Sequence, residues 1–286
     1  MQMKREEKLR LLEDRVEIGC QGWNYPDWIK KVGGESVFYQ RGTKTNEMLE
    51  FYSQIFETVE VDSTFYAIPP ISTLESWYQK TPEKFTFSLK LPQEISHTHS
   101  LREDSFVILE MFCERIKILK EKLGIVLIQL APQFEGSKEN AQNLRKFLVR
   151  LPKDIRFAVE FRNRDWMIEW TFQELRKNSV AMCFVEGNWI PREMMFDAMK
   201  NPTADFTYTR FMGERDLTDF SQVVRPQDAN LEIWKSEFEK LQTESNFIYF
   251  SNFYEGFAPE STQKLKQLFG QNIIEPSLLE TQKSLF

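Results

Sequence analysis

The chain has 286 residues, 41% of them hydrophobic, and a formal net charge of -6. That length buries either two small domains or one barrel-sized core, the acidic balance argues against holding nucleic acid by bulk electrostatics, and no apolar stretch approaches the length that crosses a bilayer. Two histidines, His97 and His99, and three widely spaced cysteines, Cys20, Cys113 and Cys183, leave little for a histidine-rich metal site, a zinc knuckle or a disulfide framework.

Residues 1–15 alternate charge with leucine and lack the apolar block and small-residue cleavage site of a signal peptide. They are expected to be a charged extension of a soluble, cytoplasmic protein. Val16 to Cys20 reads as a first strand, with Gly19, Gly22 and Trp23 in the turn beyond it. From Thr43 a helical stripe runs through Met48, Leu49, Tyr52, Ile55 and Phe56, and Thr58 to Asp62 is a second strand. Leu74, Trp77 and Tyr78 mark a short helix, and Phe85 to Leu91 alternates as a third strand with Thr86, Ser88 and Lys90 on one face.

Phe106, Leu109, Cys113, Ile116, Leu119 and Leu123 have helical spacing, with Gly124 expected as the stop. Ile125 to Gln129 is a nearly continuous apolar run, suited to a strand buried on both faces of a parallel sheet. Ser137 opens a helix through Leu144, Phe147, Leu148 and Leu151. Arg156 to Arg162 is a fifth strand with Glu160 and Arg162 in phase. Trp170 to Lys177 and Val180 to Val185 repeat the helix and strand pattern, and Phe206 to Phe211 is a seventh strand with Tyr208 and Arg210 in phase. Leu231, Trp234, Phe238 and Leu241 form a helix stripe, Asn246 to Phe250 an eighth strand, and Pro259 to Phe269 a last helix closed by Gly270. Eight alternating units without a Gly-rich nucleotide turn after the first strand favour an α/β fold of one (β/α)8 TIM barrel over residues 16–275, rather than a doubly wound sheet. Residues 276–286 are expected to be a solvated tail.

Sites on such barrels lie at the carboxyl ends of the strands, and the polar residues gather there: Glu60 and Asp62, Lys90, Gln129, Glu160 with Arg162, Glu186, Arg210 and Asn252. The stretch Glu60-Val61-Asp62-Ser63-Thr64-Phe65-Tyr66 is the most telling. At a period of two it sets Glu60, Asp62 and Thr64 on one face, and buried carboxylates require cationic partners.

Several stretches together resemble the domain-of-unknown-function 72 family, also called YecE-like. They are Gly19 to Trp23, Val59 to Tyr66, the Lys90 strand, Ser96-His97, Gln129 to Pro132, Ala158 to Arg162, Tyr208 to Arg210, and Phe250 to Asn252 before Ala258-Pro259. The resemblance covers about residues 16 to 270 and implies a TIM barrel of unassigned biochemical function. Compared with the family pattern, Cys20 stands where Thr or Ser is usual, and Asn163 and Met212 where a histidine is common. Ser251 replaces the first of two asparagines, and a methionine cannot shuttle a proton.

The chemistry that these residues suggest is an enzyme or binding site for a small anionic or polyhydroxylated molecule. Glu60, Glu160 and Lys90 are the candidate catalytic groups, the carboxylates as acid or base and Lys90 as polarising cation. Asp62, Tyr66, His97, Gln129, Arg162, Tyr208, Arg210, Asn252 and Trp23 are the candidate ligand contacts, by charge, neutral hydrogen bonds or aromatic wall. The competing structural reading makes the charged residues an ion network that plugs the barrel. Nucleic-acid binding or phosphodiester hydrolysis, by analogy of fold alone with barrel endonucleases, ranks second, because those enzymes use histidine-built metal clusters. No cofactor is expected. An Mg2+ site on Glu60, Asp62 and Glu160 suits a hard cation but ranks below the ligand site.

Overall fold

Eight short runs rich in Val, Ile, Phe and Thr become strands because branched and aromatic side chains pack well on a pleated surface. The amphipathic runs between them become helices. In the computed structural model, which describes residues 15–29 and 38–283 with side chains through 279, the order is β1 (Val16–Gln21), α1 (Thr45–Tyr52), β2 (Thr58–Val61), α2 (Ile71–Lys80), β3 (Thr86–Lys90), α3 (Phe106–Ile116), β4 (Leu123–Gln129), α4 (Lys138–Arg150), β5 (Arg156–Glu160), α5 (Glu169–Lys177), β6 (Ala181–Glu186), α6 (Arg192–Met199), β7 (Phe206–Phe211), α7 (Asp228–Phe238), β8 (Ser245–Phe250), α8 (Asn252–Glu255), α9 (Ala258–Leu268) and α10 (Pro276–Lys283). The strands pair in chain order, all parallel, and β8 closes on β1 from Val16↔Asn246 to Cys20↔Phe250. The chain is therefore a (β/α)8 barrel, as expected. The extension expected over 1–15 lies, Arg15 apart, outside the described residues. Within the expected tail, Pro276–Lys283 is helical and Leu279 rests on the core.

Three local expectations are corrected. The second strand stops at Val61, and Ser63–Phe65 winds into a 3-10 turn, so Thr64 does not share a strand face with Glu60 and Asp62. Its hydroxyl turns to β3, donating to the Lys90 carbonyl at 2.8 Å and accepting from the Lys90 amide at 3.0 Å, which clamps the carboxyl ends of β2 and β3 together. The fifth strand ends at Glu160, and Arg162 lies just past it. Gly124 does not stop a helix. The helix ends at Ile116, a 3-10 segment follows with Lys120 at φ 49°, and Gly124 lies inside β4. A Cβ there would come within 3.0 Å of Ser88 Oγ and 3.1 Å of the Phe87 carbonyl, so glycine is what lets β3 and β4 approach.

Apolar residues of the strands and helices fill the layer between barrel and helices, with Trp28, Phe38, Tyr39, Tyr52, Phe56, Trp166 and Trp234 all buried. The barrel interior is polar. Tyr249 Oη bonds Ser88 Oγ at 2.8 Å and Thr58 Oγ1 at 2.7 Å, and Thr86 donates to Glu17 at 2.6 Å. These contacts join strands that are not neighbours in the sheet, so they cross the inside of the barrel. Buried hydroxyls of this kind are tolerated because each has a partner.

Candidate functional site

The polar alternation on β2, β3, β5 and β7 converges at the carboxyl end of the barrel because those residues share the inward face of the closed sheet. Arg210, fully buried on β7, is the centre. Its Nη2 donates to Glu60 Oε1 at 2.8 Å, and its Nη1 donates to Glu160 Oε2 and to Gln129 Oε1, the last at 3.2 Å. Glu60 also accepts from Gln21 Nε2 at 2.5 Å and from the Tyr208 hydroxyl at 2.7 Å. Lys90 bridges outward, 3.6 Å from Glu60 and 2.5 Å from Asp62. Arg162 donates through Nε to Glu160 Oε1 at 2.6 Å.

The electrostatics follow from this geometry. Burial alone would raise the Glu160 carboxyl, but Arg210 and Arg162 on either side overcome it and hold the group at about 2. Burial likewise works against the charge on Arg210, and Glu60 and Glu160 hold it well above its ordinary value. Glu160 is thus ionised throughout the neutral range, which leaves the base half of the acid-or-base role expected of it. The carboxylates weighed as an Mg2+ site already have side-chain cations between them, Arg210 between Glu60 and Glu160 and Lys90 between Glu60 and Asp62. Among the described residues, no group of three or more His, Cys, Asp or Glu side chains is arranged to hold a metal.

Above this layer opens a cavity of about 420 Å³. Of the expected ligand contacts, Asp62, Tyr66, His97, Gln129, Arg162 and Asn252 line it, together with Lys90. Glu60, Tyr208 and Arg210 do not: all three are fully buried beneath it, with Tyr208 two residues deeper on β7 than Arg210. Trp23 does not line it either; its ring packs edge-on against Trp77, centroids 5.6 Å apart. Glu160 borders an adjoining cavity of about 310 Å³. Glu186 serves structure, accepting from Trp234 Nε1 at 2.6 Å and pairing with Arg192 at 3.1 Å. A larger cavity of about 640 Å³ lies around Met199, Asp205 and Leu241, at the opposite, amino end of the strands, where sites on this fold do not form.

His97 stands half-buried at the cavity wall with Nδ1 2.9 Å from Ser96 Oγ and its ring edge-on to Phe65 at 5.1 Å. Burial first, and then the Arg162 charge, lowers its basicity, so the imidazole is neutral at pH 7. His99 instead pairs with Asp104 at 2.9 Å. Asn252 is fixed by accepting at Oδ1 from Trp28 Nε1 (3.1 Å) and the Ala258 amide (3.0 Å), which leaves its Nδ2 donor without a partner among the described residues.

Sequence reasoning missed Gln21, Tyr25 and Arg215, which also line the mouth. Gln21 ends β1, and the rule that placed Glu60 and Lys90 could have found it. Arg215 lies in the irregular segment after β7, where no periodicity aims a side chain. At the altered family positions, Met212 and Ser251 line the mouth, and Asn163 and Ser251 cap local turns by accepting from the Asp165 and Phe253 amides.

Fold and site together define a (β/α)8 barrel with a cation-rich mouth over a buried ion network. The sequence model of the family described as "Protein of unknown function DUF72" matches residues 17–283, and the chain belongs to that family. It is 27% identical over 276 residues to UPF0759 protein YunF of Bacillus subtilis (strain 168), covering 88% of this chain and 94% of YunF. It is 31% identical to UPF0759 protein YecE of Escherichia coli (strain K12) over 148 residues, 52% of this chain and 48% of YecE. The crystal structure of a DUF72 family protein from Thermotoga maritima MSB8 superposes with a TM-score of 0.74 at 24% identity, over 90% of this chain and all of that one. One from Enterococcus faecalis V583 gives 0.69 at 19% identity, over 90% and 98%. Among the described residues, no helix is long and apolar enough to cross a membrane.

Proposed function

We propose that the barrel mouth binds a small molecule through an anionic group. The observation that carries this reading is the state of Arg162. Its Nε is committed to Glu160, while its two terminal nitrogens have no hydrogen-bond partner among the described residues and the side chain lines the cavity. Charge supports the same conclusion. The lining sets Lys90, Arg162 and Arg215 against the single carboxylate Asp62, and adding the buried Glu60, Glu160 and Arg210 still leaves four cations against three carboxylates. Arg215 forms no ion pair among the described residues. Planar guanidinium groups suit carboxylate and phosphate oxygens, and the neutral donors of Gln129 and Asn252 would orient the ligand.

The buried layer is the scaffold of the site. Glu60 and Glu160 fix Arg210 and Arg162, and Lys90 is held by Asp62, so these carboxylates position cations rather than trade protons. Where the site does chemistry, His97 is the group suited to move a proton, being neutral at pH 7 and at the cavity wall. The reading calls for no cofactor. Nucleic-acid binding gathers no observation of its own, because the same cations serve the small-molecule site and the chain's charge is -6.

The test is calorimetric titration of the purified protein with inorganic phosphate and with acetate, repeated on Arg162→Gln and Arg215→Gln. Binding by the wild type that weakens about tenfold in each variant is the expected result, each lost charge-assisted contact being worth about 1.5 kcal/mol. A wild type that takes up neither anion overturns the reading.

A further inference from the structure

The mouth does not end at Arg162. The adjoining cavity of about 310 Å³ shares Arg162, Met212 and Arg215 with the first and adds Val185, Gly187 and Trp189. The two therefore form one continuous depression, cationic on one side and apolar on the other. Trp189, in the segment between β6 and α6, is 51% exposed. Its indole faces the Arg162 guanidinium, whose central carbon is 5.9 Å from the ring centroid. Of the seven tryptophans, Trp28, Trp77, Trp166 and Trp234 are buried and Trp23 and Trp170 are half-buried against the core, so Trp189, beside a partly unpartnered arginine, is the one that stays exposed. Gly187 and Gly213 also line this second cavity, and a Cβ on Gly187 would meet Val185 Cγ1 at 3.3 Å and Met212 Cβ at 3.5 Å, so glycine there keeps those two apolar side chains uncovered.

We infer that the ligand is bipartite: an anionic group held by Lys90, Arg162 and Arg215, and a planar ring seated in the second cavity against Trp189 and Met212. This rests on the anion reading above and specifies the class of molecule. The ring lies flat on the indole, as bases do on aromatic platforms, and displaces water from Val185 and Met212. Arg162, at the junction of the two cavities, touches both parts. The anion is a phosphate or a carboxylate, both of which present oxygens to the guanidinium edge.

Matched pairs of probes separate the two halves. Inorganic phosphate, glycerol 3-phosphate and adenosine 5′-monophosphate form one series, and acetate and indole-3-acetate form the other. Each is titrated calorimetrically into wild type, Trp189→Ala and Trp189→Phe. In at least one series the ring-bearing probe is expected to bind about tenfold or more tightly than its ringless partner, in line with stacking on an aromatic side chain. Trp189→Ala is expected to abolish that margin and Trp189→Phe to keep most of it, with the affinity for the ringless probes unchanged in both. The series that shows the margin names the anion. Ringless probes that bind as tightly as ring-bearing ones, or a margin that survives Trp189→Ala, overturn the ring subsite and leave the anion site standing. Failure of every probe to bind the wild type overturns both.

Discussion

Arg210 spends two of its nitrogens on carboxylates that have no access to solvent, and its whole side chain is inaccessible. Such a network adds little net stability relative to an apolar core, yet removing one member leaves charges stranded. Arg210→Met is therefore expected to destabilise the fold by about 3–5 kcal/mol, read from urea unfolding at pH 7. Glu160 makes the matching pH prediction. Its folded-state carboxyl is held at about 2 against an ordinary value of 4.5, so its contribution is complete above about 4.5 and is lost as pH falls through about 2. Unfolding midpoints of the wild type should drop across that window. Glu160→Gln, less stable at pH 7, should show a flatter acid limb, and parallel limbs would rule out Glu160 as the source.

At the scale of elements, the site depends on the strand ends staying in register. The Thr64 hydroxyl bonds both the amide and the carbonyl of Lys90, so a turn after β2 sets where β3 presents its lysine. Thr64→Val keeps the side-chain shape and strands two buried backbone groups. The expected loss is about 1–3 kcal/mol, with weaker anion binding than Ser137→Ala, a control of comparable cost. Ser137 caps α4 by accepting from the Asn140 amide at 3.2 Å, far from the mouth, and its removal is expected to cost about 1 kcal/mol without changing binding. Equal loss of binding in both variants would show that general destabilisation, not the clamp, controls the mouth.

For the molecule as a whole, occupancy of the mouth must appear as stability, since a ligand that binds only the folded chain stabilises it by mass action. At a hundred times its dissociation constant, an anion should add about 2.7 kcal/mol, a rise of several degrees in Tm for a chain of this size. Arg215 is exposed and forms no ion pair among the described residues, so Arg215→Gln should leave the anion-free Tm nearly unchanged and shrink the rise. An undiminished rise would place the anion elsewhere. The buried network and the open mouth thus have separate signatures, one in acid sensitivity and one in ligand-dependent Tm.

Local pattern was enough to make the barrel legible. Eight alternating apolar runs have one closed solution, and period-two polarity on Thr86, Ser88 and Lys90 or on Tyr208 and Arg210 marks an inward face whichever neighbours it meets. The strand-end rule likewise brought Lys90, Gln129, Arg162 and Asn252 to one place. Depth was not legible. Glu60, Tyr208 and Arg210 carry the same polar signal as the lining residues, but the closed sheet sets them below the cavity, where Arg210 pairs with Glu60 and Tyr208 donates to it, so none of them meets a ligand. Trp23 carries the aromatic signal of a wall, and Trp77 takes it away from the mouth. Nor could any period find Arg215 or Trp189, which sit on irregular segments whose direction is set by what they pack against. Residue spacing along a strand is a property of the backbone alone, and so the sequence determined it; which side chain is sealed and which stays open depends on groups from five or six strands meeting at once, and only the tertiary structure decided that.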